Sequence, residues 1–286
     1  MSAPIKTNFH THSTFCDGKS TILAMAQTAC EHGFSILGLS GHAPLPFPTD
    51  WNMKQEELPQ YFTAIDNAQQ IVGTKLLLLK GLEIDFIEGI IGPKTAVYPE
   101  LAYSIGSVHY INPLNSKNSN ELFAVDEPLE GFDRHIEQYC NGDYEKAVSL
   151  YYIALCDMIK EGNFTILGHL DLIKKNNPDE TRFSESSSFY RDAVMQVIDT
   201  LKGTEIIAEI NTGGIARGKT KDVYPAPWIL KELRACNIPI CLNADAHEPE
   251  HLYAYYERGL AAALNAGYRE QVIPGKGGLQ KLSLEC

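Results

Sequence analysis

The sequence predicts a single α/β barrel. Three observations carry this expectation. Seven short apolar runs alternate with six helix-period stretches along 286 residues. The runs are near-continuous, as in "KLLLLKGLEI" and "EIIAEI", which suits parallel strands buried on both faces. Seven such units in a chain of this length fit one closed sheet, spanning 1–286 as one domain, better than two domains. A doubly wound open sheet is the runner-up. No GxGxxG or GxxxxGK[ST] follows any strand, which weakens its nucleotide-binding versions.

The strands are expected at 5–11, 35–40, 76–84, 103–110, 164–169, 205–211 and 238–243. Amphipathic helices are expected at 20–32, 54–73, 143–161, 185–202, 226–236 and 249–266. Gly33, Gly73, Gly162 and Gly203 follow four of these helices, where a C-terminus favours a left-handed residue. Residues 111–142 break the rhythm as a long polar connection after a strand. Such loops are commonly functional in a barrel, and 43–53 is read the same way.

Composition narrows the function classes. The chain is 44% hydrophobic and 21% charged, as in ordinary globular proteins. No apolar run approaches the ~18 residues of a membrane span, and no secretory leader pattern opens the chain, so a cytoplasmic location is expected. The net charge of −12 opposes nucleic acid and anionic membranes as partners. An anionic substrate would need local cations. Seven cysteines without CxxC spacing argue against a disulfide framework and a thiolate metal site. Cys16 lies inside the opening motif and is read as a loop filler.

The opening stretch "NFHTHSTFCDG" places His10 and His12 two residues apart, on one face of a strand. Later strands end in the same currency. "SILGLSGH" ends in His42, "LLLLKGLEID" in Glu83 and Asp85, and "YSIGSVH" in His109. "FTILGHLD" ends in His169 and Asp171, "IIAEIN" in Asn211, and "IPICLNADAH" in Asp245 and His247. A lone histidine near a strand is usually structural. Six at strand ends that converge on one barrel mouth, among carboxylates, are what divalent metals need. His10, His12, Asp17, His42, Glu83, His109, His169, Asp245 and His247 are too many for one four-coordinate ion; they suit two or three. His32, His135 and His251 are read as surface residues, with His135 in the long loop.

HxHxxxxDG, then "GH", "GLE", "SVH", "GHLD" and "DAH", in that order, resemble the polymerase-and-histidinol-phosphatase (PHP) superfamily. "GLEIDF", "SIGSVHYI", "GHLDLIKK", "EINTGGIARG" and "NADAHEPEHL" most resemble its monofunctional histidinol-phosphate phosphatases. The resemblance covers nearly the whole chain. It implies a distorted seven-stranded (β/α)7 barrel with three divalent ions, zinc, iron or manganese. It further implies that His10, His12, Glu83 and Asp245 bind one ion, Glu83, His109 and His169 a second, and Asp17, His42 and His247 a third.

Substrate contacts are expected from Arg217, whose planar fork can hold two phosphate oxygens, from Lys175 with Lys174 as the competing register, and from Ser107. Many family members carry Arg where Lys174-Lys175 stands. Asp85 and Asp171 are expected either to orient ligands or to serve as plain caps or salt-bridge partners. Glu121, Asp126, Glu127 or Glu130 would face the cationic part of the substrate.

The expected reaction is in-line attack of hydroxide on phosphorus. Glu83, Asp245, His247 and Arg217 form the catalytic set, and no covalent phosphoenzyme is expected, since no GxSxG-type nucleophile is present. The substrate expected is L-histidinol phosphate. Alternatives are another small phosphate ester, a nuclease or proofreading module, which the acidic charge opposes, and a non-catalytic metal-binding protein that kept the fold.

Overall fold

The computed structural model describes residues 5–285. Strand β1 (Lys6–Asn8) leads through the histidine loop to helix α1 (Ile22–Glu31). Thr21 caps α1, its Oγ1 accepting from the Ala24 N–H at 3.2 Å, which satisfies one of the helix's free donors. Strand β2 (Phe34–Leu39), helix α2 (Leu58–Val72), β3 (Leu77–Asp85) and β4 (Tyr103–Ser107) follow. A short ladder of β5 (Tyr110–Ile111) and β6 (Phe123–Ala124) precedes helices α3 (Leu129–Cys140) and α4 (Tyr144–Glu161). Then come β7 (Ile166–Leu167), α5 (Ser188–Leu201), β8 (Ile207–Asn211) and the short α6 (Gly213–Ala216). Helix α7 (Pro227–Ala235), β9 (Ile240–Asn243), α8 (Tyr256–Asn265) and the hairpin β10 (Glu270–Gly275) and β11 (Gly278–Ser283) complete the order.

Seven strands form one parallel sheet in the order β1-β2-β3-β4-β7-β8-β9. A parallel bridge between Thr11 and Ala246 joins the two ends. It is held by His12 N–H to Ala246 O at 2.8 Å and Ala246 N–H to His10 O at 3.0 Å. The sheet is therefore a nearly closed barrel, as the near-continuous apolar runs predict. Closure occurs at the mouth, beside the residues that carry the chemistry.

The core has two parts. Most apolar side chains lie between strands and helices, with Tyr61, Tyr151, Tyr152 and Tyr190 among the largest buried. A smaller cluster of Phe9, Leu79, Tyr103, Ile105, Ile166, Ile207, Cys241 and Ile273 fills the barrel, so hairpin β10-β11 adds a plug residue. Tyr103 spans this interior and donates from its hydroxyl to Phe9 O at 2.6 Å. Its ring passes over Gly38 of β2 and Gly81 of β3. A Cβ at Gly38 would lie 2.2 Å from the Tyr103 hydroxyl and one at Gly81 2.4 Å from its ring, so only glycine admits the crossing.

Gly33, Gly73, Gly162 and Gly203 all take positive φ, as expected. The expectation for 111–142 is corrected in part. The segment is not simply a loop: it contains the β5-β6 ladder and helix α3. Phe132, Ile136, Tyr139 and Cys140 form a buried stripe at helical spacing beneath a polar outer face. His135 accordingly lies in a helix. Helix α8 begins at Tyr256, and residues Pro249–Leu252 form a separate 3-10 turn.

Candidate metal centre

Each functional side chain is placed by a strand end. The bridge to Ala246 keeps 10–12 extended, so His10 and His12 turn to one side, their rings 5.2 Å apart. Asp17 comes from the following turn, in which Gly18 N–H donates to Ser13 O at 3.1 Å. A Cβ on Gly18 would lie 2.3 Å from Ser13 N. The Asp-Gly pair in the opening motif is thus a packing requirement that sets where Asp17 points. His42 follows β2 and forms a parallel bridge to Glu83 of β3. His109 follows β4, His169 follows β7, and Asp245 and His247 follow β9. Asp245 has φ of 48°, a left-handed conformation that Asp tolerates better than most residues.

The nine predicted ligands meet in one place. Glu83 Oε2 lies 3.0 Å from His42 Nδ1, 3.1 Å from His10 Nε2 and 3.6 Å from His12 Nε2. Its Oε1 lies 3.1 Å from His169 Nε2 and 3.7 Å from His109 Nε2. Asp245 Oδ1 is 3.2 Å from His12 Nε2, and Asp17 Oδ2 is 3.0 Å from His247 Nε2. Four overlapping donor groups result: His12, Asp17, His42 and His247; His10, His12 and Glu83; His10, His169 and Asp245; and His42, Glu83 and His109.

These residues fit divalent ions on a specific observation. His10 Nε2, His12 Nε2, His42 Nδ1 and Glu83 Oε2 are buried, crowd within reach of one another, and yet make no hydrogen bond of acceptable geometry. Buried polar atoms are normally paired. Atoms that share a neighbourhood without aiming at each other are arranged around common points, as ligands are. Oxygen and imidazole donors without thiolate suit zinc, iron or manganese.

The electrostatics agree. Burial would raise the carboxyl of Glu83, but His10, His42 and His109 hold it well below its ordinary range. Asp245 is likewise held low by Arg217 and His10 against the cost of burial. Burial, then His247 and His42, push His12 down to about 3, which keeps its ring neutral. His109 is pushed up to about 10, because Asp85 and Glu83 outweigh burial.

Buried acceptors orient the rings. Asp85 Oδ1 accepts from His109 Nδ1 at 2.9 Å, which leaves Nε2 aimed at Glu83. Glu209, absent from the predicted site, does the same for His10. Its Oε1 takes His10 Nδ1 at 2.7 Å and Asn243 Nδ2 at 2.9 Å. Its Oε2 takes His169 N–H at 2.9 Å and Asn211 Nδ2 at 3.0 Å. A charged residue two places before Asn211, inside an apolar strand, was the available signal. Trp51, from the 43–53 segment, stands edge-on to His42 and His109 at centroid distances of 4.5 and 5.4 Å, and stacks on Tyr110.

One expectation requires correction, and two alternatives left open by the sequence are resolved. Ser107 is fully buried and donates to Glu83 Oε1 at 2.6 Å, so its one proton goes to that carboxylate and not into the cavity. Lys174 points into the protein, where Nζ pairs with Asp171 at 2.8 Å and donates to Val223 O at 2.8 Å. Asp171 is therefore a salt-bridge partner, also accepting from Ala226 N–H at 2.8 Å. Lys175 is the register that lines the cavity.

That cavity, about 220 Å³, has His42, Glu83, His109, His169 and Asp245 in its wall and Asp126, Lys175, Arg217 and Lys219 beside them. Arg217 donates to Asp245 Oδ2 at 2.8 Å and Asp245 O at 2.9 Å, and lies 2.8 Å from His247 Nδ1. The other histidines stand apart: His32 stacks on Tyr253, His135 packs on Phe123, and His251 faces Glu248. Among the described residues, no helix is long and apolar enough to cross a membrane.

Comparisons with known proteins follow this geometry. A Deinococcus radiodurans protein named "Probable histidinol-phosphatase" is 29% identical over 84% of this chain and 85% of its own length. The Bacillus subtilis histidinol-phosphatase is 26% identical over 87% of this chain and 97% of its own. The structure of hisK from Listeria monocytogenes superposes with a TM-score of 0.77 at 21% identity, covering 88% of this chain and 99% of that one. The histidinol phosphate phosphatase of Lactococcus lactis, complexed with Zn, L-histidinol and phosphate, gives 0.72 at 21% identity, covering 96% and 98%. These structural likenesses show a common fold, the distorted seven-stranded barrel. The PHP domain description matches residues 8–213, which hold most of the barrel and seven of the nine ligand positions, all but Asp245 and His247 after β9, and by that match the chain belongs to the PHP domain family.

Proposed function

We propose that the chain is a metal-dependent phosphomonoesterase that hydrolyses L-histidinol phosphate to L-histidinol and phosphate. The convergence of unpartnered His10, His12, His42 and Glu83 atoms beside the cavity carries the metal-dependent part. The names of the Deinococcus and Bacillus relatives, and the L-histidinol and phosphate in the Lactococcus structure, support the substrate. We read 1–286 as one domain.

In this reading three ions share the site: His10, His12, Glu83 and Asp245 hold one, Glu83, His109 and His169 a second, and Asp17, His42 and His247 a third. Divalent ions at such a site supply Lewis-acid stabilisation and activate water at neutral pH. The chain's own residues do the rest. Glu83 stays ionised and is fixed by Ser107. Glu209 and Asp85 fix the rings of His10 and His109. Arg217 brings positive charge beside Asp245, and Lys175 brings more to the same cavity, so an anion is drawn in despite the net charge of −12. Asp245 and His247 line the cavity beside Arg217; as ligating groups they have no proton to give, so the leaving alcohol takes its proton from water.

Phosphate release by purified, metal-quantified protein tests this reading. Histidinol phosphate is assayed beside other phosphomonoesters and a nucleotide diester. The expected result is a kcat/KM for histidinol phosphate about 100-fold above the others and at or above ~10⁴ M⁻¹s⁻¹. Equal slow rates across the panel would retain a metal phosphoesterase and remove the named substrate.

A further inference from the structure

Four carboxylates line the cavity. Asp17, Glu83 and Asp245 face the histidines. Asp126 does not; its ion pair is with Lys175, whose Nζ also donates to Asp126 O at 2.9 Å. Two neighbouring cations are engaged differently. Arg217 is held by Asp245, and Lys174 is buried against Asp171. Lys175 alone among these three has both its partners on one exposed residue.

Asp126 is not loosely placed. The β5-β6 ladder pairs Ala124 with Tyr110, next to His109. Val125 is fully buried, its N–H donates to His109 O at 2.8 Å, and its carbonyl accepts from Asn176 Nδ2 at 2.8 Å. The backbone that carries Asp126 is thus tied to a residue of the centre on one side and to the turn that carries Lys175 on the other.

We propose that the Asp126–Lys175 pair selects phosphate esters that carry an ammonium group near the ester oxygen. Lys175 passes from Asp126 to the incoming phosphate, and the substrate ammonium takes its place on the Asp126 carboxylate. This rests on the phosphomonoesterase reading above and deepens it. The physical reason is charge pairing. A phosphate that draws Lys175 away leaves Asp126 unpaired beside a dianion, an unfavourable arrangement. A substrate ammonium removes that penalty, and an uncharged alcohol cannot. No bond is made or broken in the exchange.

The test compares 2-aminoethyl phosphate with ethyl phosphate, as kcat/KM or as Ki where turnover is slow, in the metal-loaded full chain. The parent protein favours the aminated ester. Asp126→Asn is expected to lower that preference by about 10- to 100-fold, the range for one charge-assisted hydrogen bond, while Asp126→Glu keeps most of it. Lys175→Met is expected to weaken both esters, because its charge serves the phosphate. A preference unchanged by Asp126→Asn, or tighter binding of the aminated ester alone in Lys175→Met, overturns the exchange. If histidinol phosphate proves no better than 2-aminoethyl phosphate while Asp126→Asn still abolishes the preference, the named substrate falls and the role of the pair stands.

Discussion

Glu209→Gln is the most informative single substitution, because the structure leaves the new amide nowhere to go. Each carboxylate oxygen of Glu209 accepts from two donors: His10 and Asn243 on one, His169 N–H and Asn211 on the other. Whichever way a glutamine turns, its NH₂ meets two donors. Neither asparagine can invert to accept. Asn243 Oδ1 already takes Phe9 N–H at 2.8 Å, and Asn211 Oδ1 takes Gly213 N–H at 2.8 Å. His169 N–H is backbone. If the amide faces His10, that ring must give up its Nδ1 proton to avoid a clash of donors, and the proton it keeps sits on Nε2, which removes the lone pair that a metal needs. Two buried hydrogen bonds lost at ~1–3 kcal/mol each give a destabilisation of about 2–6 kcal/mol, lowered by any relaxation. For a chain of this size that is a fall in Tm of roughly 3–10 °C in chelator-treated protein. Loss of an orienting partner should weaken metal binding by about 10- to 100-fold. Denaturant unfolding of the metal-free protein measures the first effect, and competition with a chromophoric chelator measures the second. A Glu209→Gln protein as stable as the parent, with unchanged metal affinity, would refute the network.

Metal loading should release protons. His10 and His109 are held above the ordinary histidine value by carboxylates, so at neutral pH the metal-free rings are protonated and a ligated ring is not. Metal affinity therefore falls as pH falls, and calorimetry in buffers of different ionisation enthalpy should show more than one proton released per chain; none released would contradict the assigned donors. Gly18→Ala forces the turn apart at Ser13 and displaces Asp17, so metal occupancy should drop while the circular dichroism of the fold is retained. Asp133→Asn breaks the fork with Arg182, at 2.8 and 2.6 Å, between α3 and the 177–185 segment. The hydrogen bonds from Arg182 hold Asp133 below its ordinary value, so the stabilisation is full above the usual aspartate range and is lost as pH falls through the lowered value. With solvent screening it is worth about 1 kcal/mol at neutral pH, and the gap between parent and variant should narrow as pH falls below the usual aspartate range and close below the lowered value; a gap that does not narrow in acid would count against this account.

Much of the centre was legible in the sequence because barrel geometry turns order into position. Strand ends in a parallel barrel converge, so His10, His12, His42, His109, His169 and His247 could be placed together without coordinates. The i, i+2 spacing then told which pairs share a face. What the sequence could not carry were choices among neighbours of equal chemistry. Lys174 and Lys175 are the same residue type one place apart, and only the 3-10 turn after His169 sends one to Asp171 and the other to the cavity. Ser107 was expected to face phosphate, but the proximity of Glu83 on the adjacent strand captures its hydroxyl.

Glu209 was hidden for a related reason. Its partners come largely from three other strand ends, so its one local mark, a charge inside an apolar strand, does not say what it binds. Helix α3 was hidden by its polar outer face, since the apolar stripe declares itself only when Phe123 and its neighbours supply a surface to pack on. The sequence by itself determined the barrel, the order of its ligands and the acidic character that makes local cations necessary. The tertiary structure alone decided which donor each buried carboxylate receives, and with it which cations remain free to meet a substrate, because hydrogen bonds across a closed sheet join residues far apart in the chain.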